Sequence, residues 1–282
     1  MSRLFVVATP IGNLQDITLR ALEVLRTVPQ IAAEDTRHTA RLLRHYNIAT
    51  PLVSFHEHNR RRQLPHLLNV LGQGDLALVS DAGTPAISDP GADLVRAAAS
   101  AGHEVVPLPG PSALAAILSV AGFDLGPVHF LGFLPRRRGP RQRLLQQYVA
   151  RPGMVVFYES PHRLRAALED IAAVAGDHQL VLGRELTKLH EEVLRGTAAE
   201  LASHFASREP RGEFVGVVQG SPGTQGHTDP PSDPIAPEDE AGVMERFEAL
   251  VHETGDRRQA LRQLAVETGW PRRDLYRLVH RD

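Results

Sequence analysis

The sequence predicts an α/β fold of two lobes, followed by a linker and a small helical module. Three observations carry that reading. Short apolar runs alternate with helix-period segments over roughly the first 220 residues. Loops rich in Gly, Pro, Ser and Asp follow several of those runs, at the strand ends where open α/β sheets bind ligands. The pattern breaks at residues 122–127 and then begins again. A length of 282 residues suits two domains, and 42% hydrophobic residues suffice for a sizeable core. With no Cys in the chain, disulfide scaffolds, Cys-ligated zinc, iron–sulfur clusters and thiol nucleophiles are excluded. No apolar run approaches the ~18 residues of a membrane span, and no charged-then-apolar leader is visible, so a cytoplasmic protein away from membranes is expected.

In the first lobe, expected over residues 1–121, Leu4 to Ala8 reads as a buried strand ending in the loop Thr9-Pro10-Ile11-Gly12-Asn13. Ile17, Ala21, Leu22, Leu25 and Val28 then share one helix face. Strands follow at 31–33, 51–55, 76–80 and 104–108, with helices at 36–46, 61–71 and 111–120 between and after them. Asp89-Pro90-Gly91 reads as a helix start, with the carboxylate as cap and Pro in the first position. In the second lobe, expected over 122–219, strands are read at 128–133, 154–158, 180–184, 192–195 and 213–218. Helices are read at 142–149, from Ser160-Pro161 onward, and near 198–205. Residues 220–239 read as a flexible linker and 240–282 as a helical module resembling a helix-turn-helix. Its last two helices are expected to join at Gly269-Trp270-Pro271.

The densest motif is Ser80-Asp81-Ala82-Gly83-Thr84-Pro85-Ala86-Ile87-Ser88-Asp89-Pro90-Gly91, between a strand and a helix. Small residues let a ligand approach the backbone, and Asp81, Thr84 and Ser88 can hydrogen-bond it. A tight connection with a helix cap would use several of the same residues. Two comparable loops, around Pro10 and at Pro109-Gly110-Pro111-Ser112-Ala113, favour one shared site over three unrelated turns. Neither the dinucleotide fingerprint nor the P-loop pattern is present. His56-Glu57-His58 lacks Cys or partner spacing, so no metal site is expected.

The strings VATPIGNLQDIT, AAEDTRHT, SDAGTPAISDPG, PGPSA, FLGFLPR, FYESPHR, RELTKLHEE and GEFVGVV run in order from about residue 4 to residue 218. Together they resemble the small-subunit ribosomal RNA (cytidine-2′-O)-methyltransferases of the tetrapyrrole methylase superfamily. That resemblance implies two α/β lobes of the tetrapyrrole methylase type with the cofactor cleft between them. It also implies a homodimer, S-adenosyl-L-methionine as cofactor, and methylation of a cytidine ribose 2′-hydroxyl in the decoding region of 16S rRNA or the small subunit. The loop Thr9-Pro10-Ile11-Gly12-Asn13 departs from the Gly-x-Gly-Pro-Gly loop of porphyrinoid members, which favours the RNA branch. The resemblance places Pro10, Ser80, Asp81, Ala82, Gly83, Thr84, Pro85, Ser88, Ser112 and Ala113 at the cofactor, and backbone near Leu134 and Arg184 at its adenine.

Such a transfer requires alignment and removal of a hydroxyl proton. Candidate bases fall in Glu34-Asp35 and in Glu185-Leu186-Thr187-Lys188. Asp35 has a competing role as a helix cap. Of 31 basic residues only Lys188 is Lys. A desolvated ammonium can lose its proton and a guanidinium cannot, although codon bias accounts for the arginines equally well.

Arg37 and His38, early in a helix, suit phosphate or base contact. Arg136, Arg137, Arg138, Arg141 and Arg143 lie in a stretch, residues 125–158, with six Arg and no carboxylate. That density suits RNA, as do His162 and Arg163 beyond the next strand. The net charge of −2 therefore averages a +6 stretch and a +4 tail (257–282) against a −7 segment at 228–253. Two other readings remain: methylation of a tetrapyrrole, against which the arginines count, and a non-catalytic nucleic-acid-binding regulator using the C-terminal helices.

Overall fold

The computed structural model describes residues 2–87, 89–124, 126–221, 240–268, 275–276 and 278–279. The chain divides into two compact units, 1–222 and 223–282. The first holds a parallel sheet of β1 (Arg3–Val7), β2 (Gln30–Ala33), β3 (Leu52–Ser54), β4 (Leu76–Val79) and β5 (Glu104–Leu108), in the order β3-β2-β4-β1-β5. Strands β2 and β4 are nearly or wholly buried because helices cover both faces, which is why they read as continuous apolar runs. Helices α1 (Leu19–Thr27) and α2 (Thr36–His45) pack Leu25, Leu42 and Leu43 against Val7, Ile31 and Val79. On the opposite face, α3 (Arg60–Gln73) and α4 (Gly91–Ser100) pack Leu67, Leu71 and Leu94 against Leu4, Ala32 and Leu78.

The second sheet contains β6 (Val128–Phe133), β7 (Met154–Glu159), β8 (Gln179–Arg184), β9 (Glu192–Thr197) and β10 (Phe214–Gln219), in the order β6-β7-β10-β8-β9. Only β6 and β7 run parallel. Helices α6 (Arg138–Val149), α7 (Pro161–Ala175) and α8 (Ala198–Ala206) cover one face through Leu145, Leu168, Ile171 and Phe205. The other face is covered by α5 (Ala113–Ala121), whose Ile117 and Ala121 pack on Val181, Val215 and Val217. This helix leaves β5 of the first sheet and docks on the second, so it ties the two sheets together.

Several boundaries differ from the sequence reading, among them α5, which begins at Ala113 rather than residue 111; two differences bear on the loops around the site. Helix α6 begins at Arg138 rather than residue 142, so Gly139-Pro140 lies in its first turn. Pro is tolerated there because first-turn N–H groups have no intrahelical acceptor. Helix α4 begins at Gly91 with Pro90 in the cap position, one residue later than expected. The Asp89 carboxylate still accepts from Gly91 N at 2.7 Å, and also from Ala86 N at 2.9 Å.

In the second unit, α9 (Glu240–Thr254) and α10 (Arg257–Thr268) bury Val243, Phe247, Leu250, Ala260 and Leu264 together with Leu275, Leu278 and Val279. Arg246 pairs with Glu267 at 2.8 Å. Most of the expected linker, and the expected joint at Gly269-Trp270-Pro271, lie outside the described residues. Among those described, no helix is long and apolar enough to cross a membrane.

Candidate active site

Strand order decides where a site can form. The chain passes from β1 over to β2 and later returns through β4 to β5, so β1 and β4 are neighbours whose connections run in opposite directions on opposite faces of the sheet. A crevice opens at the carboxyl ends of such strands. Their loops pair there: Thr9 N donates to Gly83 O and Gly83 N to Thr9 O, both at 2.9 Å. Gly83 takes a φ of +77°, which favours glycine. Thr84 Oγ1 donates to Pro111 O at 3.2 Å, joining the third Pro-rich loop.

Across the crevice stand the carboxyl end of β7 and the start of β10, brought level by the pairing of Glu159 with Phe214. Between the sheets lies a cleft of about 520 Å³, within the range of small-molecule sites. Glu34, Ser80 to Thr84, Asp89, Ser112 and Ala113 line it from the first sheet. Phe133, Tyr158 to Pro161, Leu186, Lys188 and Glu213 to Val215 line it from the second.

The loop after β1 rests on the turn at 185–188. Asn13 N donates to Thr187 Oγ1 at 3.0 Å. A Cβ on Gly12 would stand 2.4 Å from Lys188 Cγ and 2.7 Å from Thr187 Oγ1. Three of the four non-glycine residues described with positive φ, namely Ala86, Glu185 and Thr187, lie in loops bordering the cleft. Strain held in that way marks loops whose shape is imposed by their surroundings. Gly12→Ala should therefore lift the two loops apart and lower stability by about 1–3 kcal/mol. A melting curve checks this; an unchanged melting temperature would mean that the contact has slack.

The cleft is acidic. Among the described residues, Glu34, Asp81, Asp89, Glu159 and Glu213 line it against a single cation, Lys188. Burial raises the pKa of Glu34, the charges of Asp81, Asp89 and Asp35 raise it further, and a backbone hydrogen bond from Asp81 offsets part of this. Burial also raises Glu159, whose Oε1 accepts from Ser160 N at 2.8 Å. Its Oε2 lies 3.0 Å from Arg163 Nη2 without hydrogen-bond geometry. Asp35 behaves oppositely: side-chain and backbone hydrogen bonds from Arg37 hold its carboxyl well below the usual range. It caps α2 by accepting from Arg37 N at 2.8 Å.

Burial of Lys188 acts to lower its pKa, but Glu185 and Glu213, each 2.9 Å from Nζ, outweigh it and raise the value. The two ion pairs favour the charged ammonium at Lys188, against the desolvated, proton-losing amine that the sequence left open beside codon bias. Glu185 is tied up as well, accepting from Lys188 Nζ and from Glu213 N at 2.9 Å, and its pKa is lowered.

Among residues expected at the cofactor, Ser80, Asp81, Ala82, Gly83, Thr84, Ser112 and Ala113 line the cleft. Pro10 and Pro85 belong to the loops that build it but do not line it, and Ser88 lies outside the described residues. Leu134 and Arg184 do not line it either: Leu134 O accepts from Arg163, and Arg184 Nε donates to Arg211 O at 2.7 Å. The second lobe contributes instead through Tyr158 to Pro161 and Glu213 to Val215. The motifs FYESPHR and GEFVGVV contained those residues, but only strand pairing shows which of them face the cleft.

The expected RNA contacts separate into two kinds. Arg136, Arg137, Arg138 and Arg143 are exposed, as are Arg37, His38 and His162. Arg37 nevertheless pairs with Asp35 at 2.8 Å, and Arg138 with Asp170 at 3.1 Å. Arg141 is a correction. Its side chain is 5% exposed and donates from Nε to Asp170 Oδ2 at 2.7 Å, and to the carbonyls of Pro135, Arg136 and Ala166 at 3.2 Å. It is a structural staple. Arg163, held by Glu159 and Leu134 O, is likewise turned inward.

The model of the tetrapyrrole (corrin/porphyrin) methylases matches residues 3–202. A Synechocystis sp. protein described as ribosomal RNA small subunit methyltransferase I is 45% identical over 99% of this chain and 97% of its own length. Its namesake from Bacillus subtilis is 39% identical, over 99% of this chain and 94% of its own. Among solved structures, uroporphyrin III C-methyltransferase from Thermus thermophilus aligns with a TM-score of 0.56 at 16% identity, covering 78% of this chain and 98% of that one. Cobalt precorrin-4 methyltransferase aligns with a TM-score of 0.58 at 13% identity, covering 77% and 94%. At those identities the likeness is one of fold.

Proposed function

The chain belongs to the tetrapyrrole (corrin/porphyrin) methylase family, and from that premise we propose that it methylates the ribose 2′-hydroxyl of a cytidine in 16S rRNA, using S-adenosyl-L-methionine. Relatives at 39–45% identity over 99% of the chain carry a small-subunit rRNA methyltransferase name, whereas the porphyrinoid enzymes stand at 13–18%. The observation that carries the reading in the site itself is the charge of the cleft. Five carboxylates surround one already paired ammonium, a lining suited to a cationic ligand.

The cofactor supplies an activated methyl on a positively charged sulfur. Ser80 to Thr84, with Ser112 and Ala113, are the residues to hold it, because their small side chains leave backbone groups open to a ligand. Glu34 accepts the proton that the ribose hydroxyl must lose. Its raised pKa brings it nearer working pH than an exposed carboxylate, as a general base requires. Asp35 is a weaker base for the opposite reason, and Lys188 arrives already protonated. Lys188 instead ties the 185–188 turn to Glu213 at the edge of the cleft.

RNA enters beside Phe133, which lines the cleft and is 57% exposed. Arg136 and Arg137 follow three and four residues later, so their Cα atoms stand within about 15 Å of it. The protein acts as a homodimer in the cytoplasm; exposed Leu19 and Leu189 supply apolar surface for a partner copy. The test uses methyl-labelled cofactor with small subunits and with free 16S rRNA. Label recovered as 2′-O-methylcytidine is expected. Label appearing only in a porphyrinoid acceptor would overturn the reading.

A further inference from the structure

The arginines beside β6 are not the only uncompensated positive surface. Residues 36–74 contain six Arg against one acid, Glu57, together with five His. This stretch comprises α2, β3 and α3, the outer edge of the first sheet. Arg37, Arg41 and Arg44 fall at i, i+4 and i+7 on the exposed face of α2, while Thr39, Leu42 and Leu43 are buried. Helix α3 opens with Arg60, Arg61 and Arg62. Arg60 pairs with Asp93 at 2.7 Å and Arg37 with Asp35. Arg41, Arg44, Arg61 and Arg62 form no ion pair among the described residues.

Both helices open on cations, α2 behind its Asp35 cap. Neither α2 nor α3 has an acidic residue in its first turn, although the helix dipole favours acids there and disfavours cations. Among α1 to α8 only α4 and α8 carry one, Asp93 and Glu200. The basic first turns are also next to the cleft. Ala33 pairs with Ser54, and Phe55 N donates to Ala33 O at 2.7 Å, so Glu34 and Phe55 leave adjacent strands side by side, about 5 Å apart, with His56 the next residue. His58, Arg61 and Arg62 on one side and Arg37 and His38 on the other thus flank the rim next to Glu34. His56 Nδ1 is buried there without a hydrogen-bond partner.

We propose that this rim, His38 and Arg41 of α2 with His58, Arg61 and Arg62 at the start of α3, is a second RNA-backbone surface. It grips the substrate on the side of the cleft opposite the Arg136–Arg143 stretch. The inference rests on the RNA reading above. Substrate phosphates are its occupant, because unpaired guanidinium groups beside an RNA-methylating cleft complement the phosphate charge. Two separated basic surfaces would hold a strand across the cleft mouth and limit which nucleotide reaches Glu34.

The test compares R61A/R62A with a control, R26A/R208A, which removes the same charge elsewhere. Filter binding to a 16S rRNA fragment is followed against salt, with cofactor binding and melting measured alongside. The expected result for R61A/R62A is affinity about tenfold weaker near 0.15 M salt and a log–log salt slope smaller by roughly 1.4–1.8. Cofactor affinity and melting temperature should be unchanged, and the control should keep the parent slope. An unaltered slope in R61A/R62A, or an equal loss in the control, overturns the proposal. So does an unaltered RNA slope accompanied by lost binding to phosphatidylglycerol vesicles, which would assign the rim to a membrane. If the parent protein itself neither binds nor methylates rRNA, the RNA reading has failed instead.

Discussion

Glu34→Gln lowers kcat by about 100-fold or more while changing cofactor affinity far less. A general base contributes about 10²–10⁴-fold, and Gln keeps size and polarity without accepting a proton. Single-turnover transfer to small subunits measures the first quantity and calorimetry the second. Equal losses in both would make Glu34 a cofactor ligand rather than a base. The same variant carries a stability signature of opposite sign. Burial, then Asp81 and Asp89, raise the folded-state pKa of Glu34 above its unfolded value. The stability linked to its proton is therefore fully present below the unfolded pKa and lost as pH rises through the folded one. Gln cannot ionise, so the variant should melt higher than the parent at pH 7.5 and no higher at low pH.

Arg141→Ala should destabilise the protein by about 3–5 kcal/mol, because it strips a buried carboxylate of its main partner. The Asp170 side chain is only 2% exposed. Arg138 and Gln142 also reach its Oδ1, at 3.1 and 2.9 Å; they set the loss toward the lower end. On a unit of this size the melting temperature should fall by on the order of 10 °C. The triple variant R136A/R137A/R143A should behave in the opposite way. Those side chains are exposed, so stability should hold within about 0.5 kcal/mol. RNA affinity should fall, with a salt slope smaller by roughly 2–3. Identical melting and binding profiles for the two variants would erase the division between staple and contact.

The arginine stretch shows how far sequence could go. Five Arg in eight residues announce a positive segment, and four of them are indeed exposed. Arg141 is indistinguishable from its neighbours in sequence. Its partner Asp170 lies 29 positions away on α7, and only helix packing brings the two together. The lone Lys is a similar case. Its identity drew attention to the right turn, beside the cleft. Its charge state rests on Glu185, three residues before it, and on Glu213, 25 residues distant, which stands just before β10 where that strand pairs with β8.

Sequence alone determined the order of strands and helices, the two-lobe plan and the loops of the first sheet. These follow from local periodicity and from glycine and proline chemistry, which act over a few residues. Strand direction in the second sheet, the cleft face supplied by Tyr158 to Pro161 and Glu213 to Val215, and the burial and charges around Glu34, Asp35 and Lys188 that the proposed choice of base rests on came only with the tertiary structure. Each depends on burial or on charges brought near by chain segments tens of residues apart, and periodicity carries no record of those distances.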